Sequence, residues 1–353
     1  SVFELVTATF AAEDYQLRED WRRRESCLHA DQVLCDVDAT NFLAAVTLLA
    51  SYKRNQRDEG AVSCKRRDVL KLSLDDYRAN ADAIEKGLRQ AAKLLASERV
   101  YDTRALPYTT QLVPLAAICA WLGARFDEEP IRRKLARWYW CGVFGELYGG
   151  ASESRMSYDL PQVVAWVDGG AEPRTVRDST FAPTRLLTLR TRLSAAYKGL
   201  AALLIQVGCP DFLSGDSIDL NLYFDEAVDI HHIFPRAWCE RQQLAASKWN
   251  CVVNKAPLTS RTNRILSGDA PSLYLSRLER THQVTEARLD ELLSNHCIDP
   301  ACLRADDFDG FFIDRARRLL DLIERATGRP VAGRDSEEVS REFGGKLIVE
   351  EIL

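Results

Sequence analysis

Apolar residues recur at helical spacing through most of the first 208 residues, and this periodicity limits the chain to a mainly α-helical fold. The clearest case is residues 74–98, where Leu88, Ala91 and Leu95 return every three or four positions. Ser73 precedes this segment as an N-cap, and acidic residues occupy its first turn. The same pattern predicts further helices over residues 39–52, 112–122, 131–147, 161–167 and 184–207.

The character of the chain changes after residue 208. A glycine- and proline-containing stretch ends the helical run, and residues 218–223 and 227–232 then have the composition of β-strands. Residues 252–253 form a short apolar step, and residues 260–266 follow as a short helix. Helical periodicity returns over 271–278, 289–293 and 308–327. The sequence therefore predicts a small strand, loop, strand and helix unit inside a helical protein.

Bulk composition indicates a globular protein with two or three domains. The chain has 353 residues, of which 46% are hydrophobic and 28% are charged. Neither a run of apolar residues long enough to span a membrane nor a secretory signal is visible. The ten cysteines are spread along the chain without a CxxC pair, so we expect free thiols and a cytoplasmic protein.

The net charge of the chain is −5, which alone counts against a nucleic-acid-binding protein. The charge is, however, unevenly distributed along the sequence. Residues 231–266 contain six basic residues and one acidic residue, which gives this stretch a net charge of +5 and leaves −10 for the rest of the chain. A local positive field of this kind is what a phosphate ligand requires.

Two adjacent histidines, His231 and His232, stand at the predicted end of a strand within this basic stretch, and Asn254 and Asn263 follow them. An imidazole can take a proton from water, and a second ligand group can hold a hard metal ion. Hydrolysis of a phosphodiester bond needs both.

These residues and their spacing resemble the ββα-metal (HNH) nuclease motif. They are most similar to the C-terminal HNH domain of GmrSD-type restriction proteins, a group that includes the phosphorothioation-linked SspE proteins. The matching positions are His231 to Pro235, Asn254, Lys255, Leu258, Thr259, Asn263, Arg264, residues 270–272, Tyr274 and Leu275. Residues 2–5, 17–21, 148–154 and 159–160 carry a weaker likeness to the same proteins.

The resemblance implies a domain organisation and a set of roles. We expect a helical domain over residues 1–208, the HNH unit over 209–280 and a C-terminal helical segment over 281–353. By this likeness, His232 is the general base, and Asn254 ties down the loop and orients that base. His231 and Asn263 are the metal ligands.

The metal implied is Mg²⁺ or Mn²⁺. His231 stands where many relatives have aspartate, and the softer nitrogen ligand favours Mn²⁺ and other transition metals somewhat. Side chains on adjacent strand positions point to opposite sides, which suits one histidine for the metal and the other for water.

The substrate implied is DNA, with a role in defence against phage or other foreign DNA. Arg261, Arg264 and Lys255 are predicted to contact it. The family also implies a partner domain on the N-terminal side, either nucleotide-hydrolysing or modification-sensing. No GxxxxGK[ST] motif occurs in this sequence, and its one methionine is Met156, so we expect the chain to be part of a larger protein.

Two other functions are compatible with the same residues. Cys239 and Cys251 flank the loop between the predicted strands, and with His231 and His232 they would give a zinc-stabilised, non-catalytic nucleic-acid-binding module. Alternatively, the unit is a ribonuclease or a general toxin nuclease.

Overall fold

The structure, a computed structural model, describes residues 1–150, 152–216, 229–282 and 284–349. It is mainly α-helical, as the sequence predicts. The chain divides into two compact units, Ser1–Ser179 and Thr180–Leu353. Among the described residues, no helix combines the length and the apolar character that crossing a membrane would require.

The first unit contains nine α-helices within its described residues. They are α1 (Val2–Ala11), α2 (Leu17–Leu28), α3 (Ala39–Asn55), α4 (Arg66–Val69), α5 (Leu74–Ser97), α6 (Leu112–Leu122), α7 (Glu129–Phe144), α8 (Glu153–Val167) and α9 (Arg174–Asp178). The predicted helices over 74–98 and 112–122 are thus confirmed, and those over 39–52, 131–147 and 161–167 are confirmed with shifted ends.

Helices α3, α5 and α6 pack together at the centre of this unit. The Ser73 side chain accepts a hydrogen bond from the Asp76 N–H at 3.1 Å, so the N-cap read from the sequence is the one that starts α5. Close packing depends on Gly87, where an added Cβ would lie 2.2 Å from the backbone oxygen of Ala116 in α6. A larger residue at position 87 would push the two helices apart.

The second unit contains the described pair of strands and nine further helices in its described residues. The strands are β1 (Asp229–His232) and β2 (Lys255–Leu258). The helices are α10 (Ala195–Gln206), α11 (Arg236–Arg241), α12 (Ala246–Trp249), α13 (Ser260–Leu266), α14 (Pro271–His282), α15 (Glu286–Asn295), α16 (Pro300–Arg304), α17 (Phe308–Thr327) and α18 (Glu337–Phe343). The predicted helices at 260–266 and 308–327 are confirmed, and the predicted strand at 218–223 lies outside the described residues.

Helix α17 packs against the segment that follows β1 in this unit. It is amphipathic, begins at an Asp307 cap and ends at Gly328 in the left-handed conformation (φ +61°). Its buried face includes Phe308 and Phe311, whose rings lie 5.2 and 4.9 Å from the ring of Phe234, just after β1. The strand pair is therefore attached to the core through the residues that follow His232.

Two local predictions in this unit are wrong. The helix predicted over 184–207 is a 3₁₀ helix (Pro183–Thr188), a non-helical segment and then α10. The backbone oxygens of Leu189 and Arg190 accept hydrogen bonds from Val252 and Lys255, so tertiary contacts replace the helical hydrogen bonds there. Residues 252–253 begin a 3₁₀ turn (Val252–Asn254) rather than a strand, and β2 follows it.

The compact units also differ from the predicted division at residue 208. Helix α10 packs against α17 and β2 and so belongs with the second unit. That unit contains all the predicted nuclease residues, begins before residue 209 and extends beyond residue 280.

Burial of His296 makes the stability of this unit depend on pH. Its Nε2 donates a hydrogen bond to the Pro210 oxygen at 2.7 Å, and its ring packs against Phe212. Burial, together with the charge of Arg315, lowers the pKa of His296 from 6.5 to about 4, although the hydrogen bond to Pro210 and the charge of Asp211 act in the opposite direction. The unfolded chain therefore binds this proton at a higher pH than the folded chain does.

We expect this histidine to contribute fully to stability above pH 6.5 and to lose that contribution as the pH falls towards 4. The loss amounts to about 3 kcal/mol by pH 4, because it accumulates at about 1.4 kcal/mol per pH unit between pH 6.5 and 4. In His296→Gln the amide keeps a donor for Pro210 but does not titrate, so urea unfolding across this range should show a shallower decline. Equal declines in the two proteins would contradict this assignment.

Candidate functional site

The strands β1 and β2 pair in antiparallel register and set the relative positions of the predicted site residues. His231 is opposite Ala256, and His232 is opposite Lys255. Directly opposed residues of such a pair have side chains on the same face. The His232 and Lys255 side chains therefore emerge on one face of the pair, while His231 emerges on the other.

Asn254, immediately before β2, fastens both ends of the loop that connects β1 to β2. Its side chain is fully buried. Its Oδ1 accepts from the Phe234 N–H at 2.8 Å, and its Nδ2 donates to the oxygens of Phe234 and Trp249, each at 2.9 Å. Its backbone oxygen accepts from the Ile233 N–H at 3.0 Å. Asn254 thus holds the two residues after His232 and the loop that reaches the His232 ring.

The His232 imidazole is half-buried against that loop. Its ring lies 5.7 Å from the ring of Trp249, and its Nε2 is 3.3 Å from the Oδ1 of Asn250. An amide oxygen only accepts hydrogen bonds, so this contact places the hydrogen on Nε2 and leaves the lone pair on Nδ1. The ring therefore has a basic nitrogen that Asn250 does not engage.

The electrostatic surroundings of His232 favour its neutral form. Burial is the largest influence that lowers its pKa, and the positive charge of Lys255 is the next. The hydrogen bond with Asn250 acts in the opposite direction, and His231 and Arg236 lower the pKa further. A neutral imidazole is the form that can accept a proton.

Helix α13 follows β2 after one residue, and an aspartate that sequence reasoning did not identify fixes its start. The Thr259 side chain caps the helix by accepting from the Thr262 N–H. The buried carboxylate of Asp211 accepts from the Thr259 N–H at 3.0 Å and from the Thr262 hydroxyl at 2.6 Å. Burial raises the pKa of Asp211, but hydrogen bonds from Thr262, Thr259 and Leu213 outweigh burial and lower it, so the carboxylate stays charged.

The predicted metal ligands lie on different elements, His231 on β1 and Asn263 on α13. Both are half-buried. Asn263 takes part in the helix through its backbone, and its side-chain amide makes no hydrogen bond to any described residue. That amide oxygen is thus available as a ligand.

The three residues predicted to contact DNA differ in exposure. Arg261 and Arg264 are exposed on α13, and neither forms an ion pair with a described residue. Lys255 is only 7% exposed, and its ammonium donates to the Arg190 oxygen at 2.6 Å. Burial and the charge of Arg190 lower the pKa of Lys255, although Cys251 acts in the opposite direction. The contact of Lys255 with DNA stays a prediction, and this geometry gives the lysine a second task, that of holding the segment around Arg190.

Two side chains that hold the backbone next to the strands, those of Arg315 and Tyr274, were also not identified in that role from the sequence. Arg315 of α17 is fully buried; its guanidinium donates to the backbone oxygens of Val253 and Val252 and, at 3.2 Å, to that of His296. The Tyr274 hydroxyl donates to the Ile233 oxygen at 3.0 Å. These bonds satisfy backbone groups just before β2 and just after β1. Tyr274 lies in the stretch that carries the family resemblance, whereas no pattern marks Arg315 or Asn250.

The two cysteines considered for a zinc site form hydrogen bonds to different backbone oxygens. Cys239 donates to the Phe234 oxygen and Cys251 to the Lys248 oxygen, and both thiols are buried. Burial raises the pKa of Cys239 to about 12 and that of Cys251 to about 11, so both are neutral thiols in the metal-free chain. In the part of the chain that the structure describes, no three His, Cys, Asp or Glu side chains form a metal-holding group.

Comparison with known proteins gives a distant relative. No protein-family model matches the chain. The uncharacterized protein MJ0686 of Methanocaldococcus jannaschii is 25% identical over 322 residues, and the match covers 85% of this chain and 52% of the relative. The chain thus spans about half the length of the curated relative it matches, and the similarity reaches into both compact units.

Proposed function

We propose that this protein is a metal-dependent DNA endonuclease whose catalytic centre is a ββα-metal (HNH) unit formed by β1, β2 and α13. The observation that carries the proposal is the setting of His232. Its imidazole is half-buried and has a lowered pKa, and its Nε2 faces Asn250 while Lys255 and Arg236 supply positive charge nearby. A neutral base in a positive field suits hydrolysis of an anionic phosphodiester.

In this mechanism, Nδ1 of His232 accepts a proton from the water that attacks phosphorus. Asn250 fixes the tautomer, and the Asn254 hydrogen bonds hold the backbone on which the ring is mounted. A positioned base of this kind contributes about 10²–10⁴-fold to the rate. Arg261 and Arg264 are exposed beside the site and would hold the DNA backbone.

His231 and Asn263 are the residues that would hold the metal. Mg²⁺ usually binds few protein groups and keeps several waters beside the substrate phosphate, so one imidazole and one amide would leave room for both. The imidazole would favour Mn²⁺ somewhat over Mg²⁺. When bound, the ion supplies charge stabilisation for the phosphate and the leaving oxygen.

The biological role is a further part of the proposal. The likeness to GmrSD-type proteins supports a function as the effector part of a modification-dependent restriction protein directed against phage DNA. A nucleotide-hydrolysing or sensor domain would then act with it in the same protein. The matched relative, of which the alignment covers 52%, has room for such a domain.

A comparison of substrates and metals tests the proposed activity. The intact chain is expected to cleave plasmid DNA when Mg²⁺ or Mn²⁺ is added, to leave RNA of similar length uncut, and to stop when EDTA removes the metal. Preferential cleavage of RNA would replace the DNA assignment with a ribonuclease. Stoichiometric zinc retained through dialysis, without cleavage, would favour the zinc-stabilised binding module.

A further inference from the structure

We infer that residues 189–193 form a contact surface for the phosphate backbone of double-stranded DNA, beside His232. This inference rests on the proposed function and adds a substrate-binding element to it. The segment, Leu-Arg-Thr-Arg-Leu, lies outside the stretch that resembles HNH nucleases.

The segment is fixed to the catalytic strand pair through its backbone. The Leu189 oxygen accepts from the Val252 N–H at 2.8 Å, and the Arg190 oxygen accepts from the Lys255 ammonium at 2.6 Å. Lys255 is in turn the cross-strand partner of His232. A single buried lysine side chain therefore connects the backbone of Arg190 to the strand position opposite the proposed base.

The side chains that follow the buried Leu189 are turned to solvent. Residues 190–193 are all exposed, and Leu193 reaches 95%. The side chain of Arg190 forms no ion pair with any described residue. A segment that is held by its backbone and exposes the basic side chain of Arg190 next to a catalytic group is arranged to bind an anionic partner.

Several positively charged side chains influence one another around His232 and Lys255. The charge of Arg190 acts on Lys255, and the charges of Lys255 and Arg236 act on His232. Like charges in one region are mutually unfavourable, and a phosphate diester bound at the exposed Arg190 would lower that cost. A guanidinium also bonds phosphate oxygens in a bidentate manner, and duplex DNA presents such groups at regular intervals.

A salt titration of binding to a short DNA duplex tests this surface. The full chain carries His232→Ala to prevent cleavage, and Arg190→Ala is added to it. Loss of one phosphate contact should lower the slope of log affinity against log salt concentration by about 0.9. Affinity at low salt should fall about five- to tenfold, and Arg190→Lys should retain most of the slope.

Arg325→Ala is the matched control. Arg325 is an exposed arginine of the same compact unit, ten residues beyond Arg315 and so about 15 Å further along α17. Its removal should leave both the affinity and the slope unchanged.

The possible outcomes distinguish a failure of the proposed contact surface from a failure of the proposed nuclease activity. An unchanged slope in Arg190→Ala, or an equal loss in Arg325→Ala, would overturn the surface even if the wild type cleaves DNA. A reduced slope in a protein whose wild type binds but never cuts would support the surface and remove the nuclease. Tighter, Arg190-dependent binding to RNA would overturn the choice of DNA, and absence of binding to either would overturn the surface altogether.

Discussion

Replacement of His232 by alanine is expected to lower the rate of DNA cleavage by about 10²–10⁴-fold, because it removes the group that accepts the proton of the attacking water. Binding should change little, since phosphate contacts from arginine side chains supply most of the affinity. The measurement is the single-turnover rate of plasmid nicking at saturating enzyme, with the dissociation constant for a DNA duplex measured alongside it.

His29→Ala is the matched control for this variant. His29 is an exposed histidine of the first compact unit, and we expect its loss to leave the nicking rate within about twofold. Full activity in His232→Ala would remove the general-base assignment. Equal losses in both variants would indicate that the assay responds to something other than the site.

Replacement of Asn254 by alanine is expected to destabilise the second compact unit by about 2–6 kcal/mol. The change leaves the Phe234 N–H and the Trp249 oxygen without a partner, and each such group costs about 1–3 kcal/mol. The Phe234 oxygen keeps only the weak bond from the Cys239 thiol. Urea unfolding followed by tryptophan fluorescence measures this loss, because Asn254 bonds the Trp249 backbone directly.

Asn250→Ala separates stability from catalysis. Asn250 is half-buried, and its side chain contacts His232 at 3.3 Å, so its removal should cost less than about 1 kcal/mol. We expect it nevertheless to slow cleavage, since the ring of His232 loses the group that fixes its tautomer. If Asn254→Ala were as stable as Asn250→Ala, the stabilising role assigned to the Asn254 hydrogen bonds would be wrong.

The parts of this structure that follow from the sequence are those governed by local rules. Ser73 and the apolar spacing after it define the start and the buried face of α5, and the helix Ser260–Leu266 lies where its pattern predicts. The position of His232 at the end of β1 was likewise readable from β-like composition followed by proline.

What the sequence did not reveal depends on contacts between distant residues. Asp211 fixes α13 from 48 residues away, and Arg315 reaches Val253 across 62 residues. The helix predicted over 184–207 fails for the same reason, because Val252 and Lys255 take the backbone oxygens of Leu189 and Arg190. Local propensity carries no information on such long-range hydrogen bonds.

The conversion of supercoiled plasmid DNA by the intact chain, with Mn²⁺ or Mg²⁺ and then with EDTA, tests the central claim most directly. Our account predicts nicked or linear DNA with metal, none with EDTA, and none above background when alanine replaces His232. Plasmid that stays supercoiled under every metal condition, or cleavage that survives both EDTA and the loss of this histidine, would contradict it.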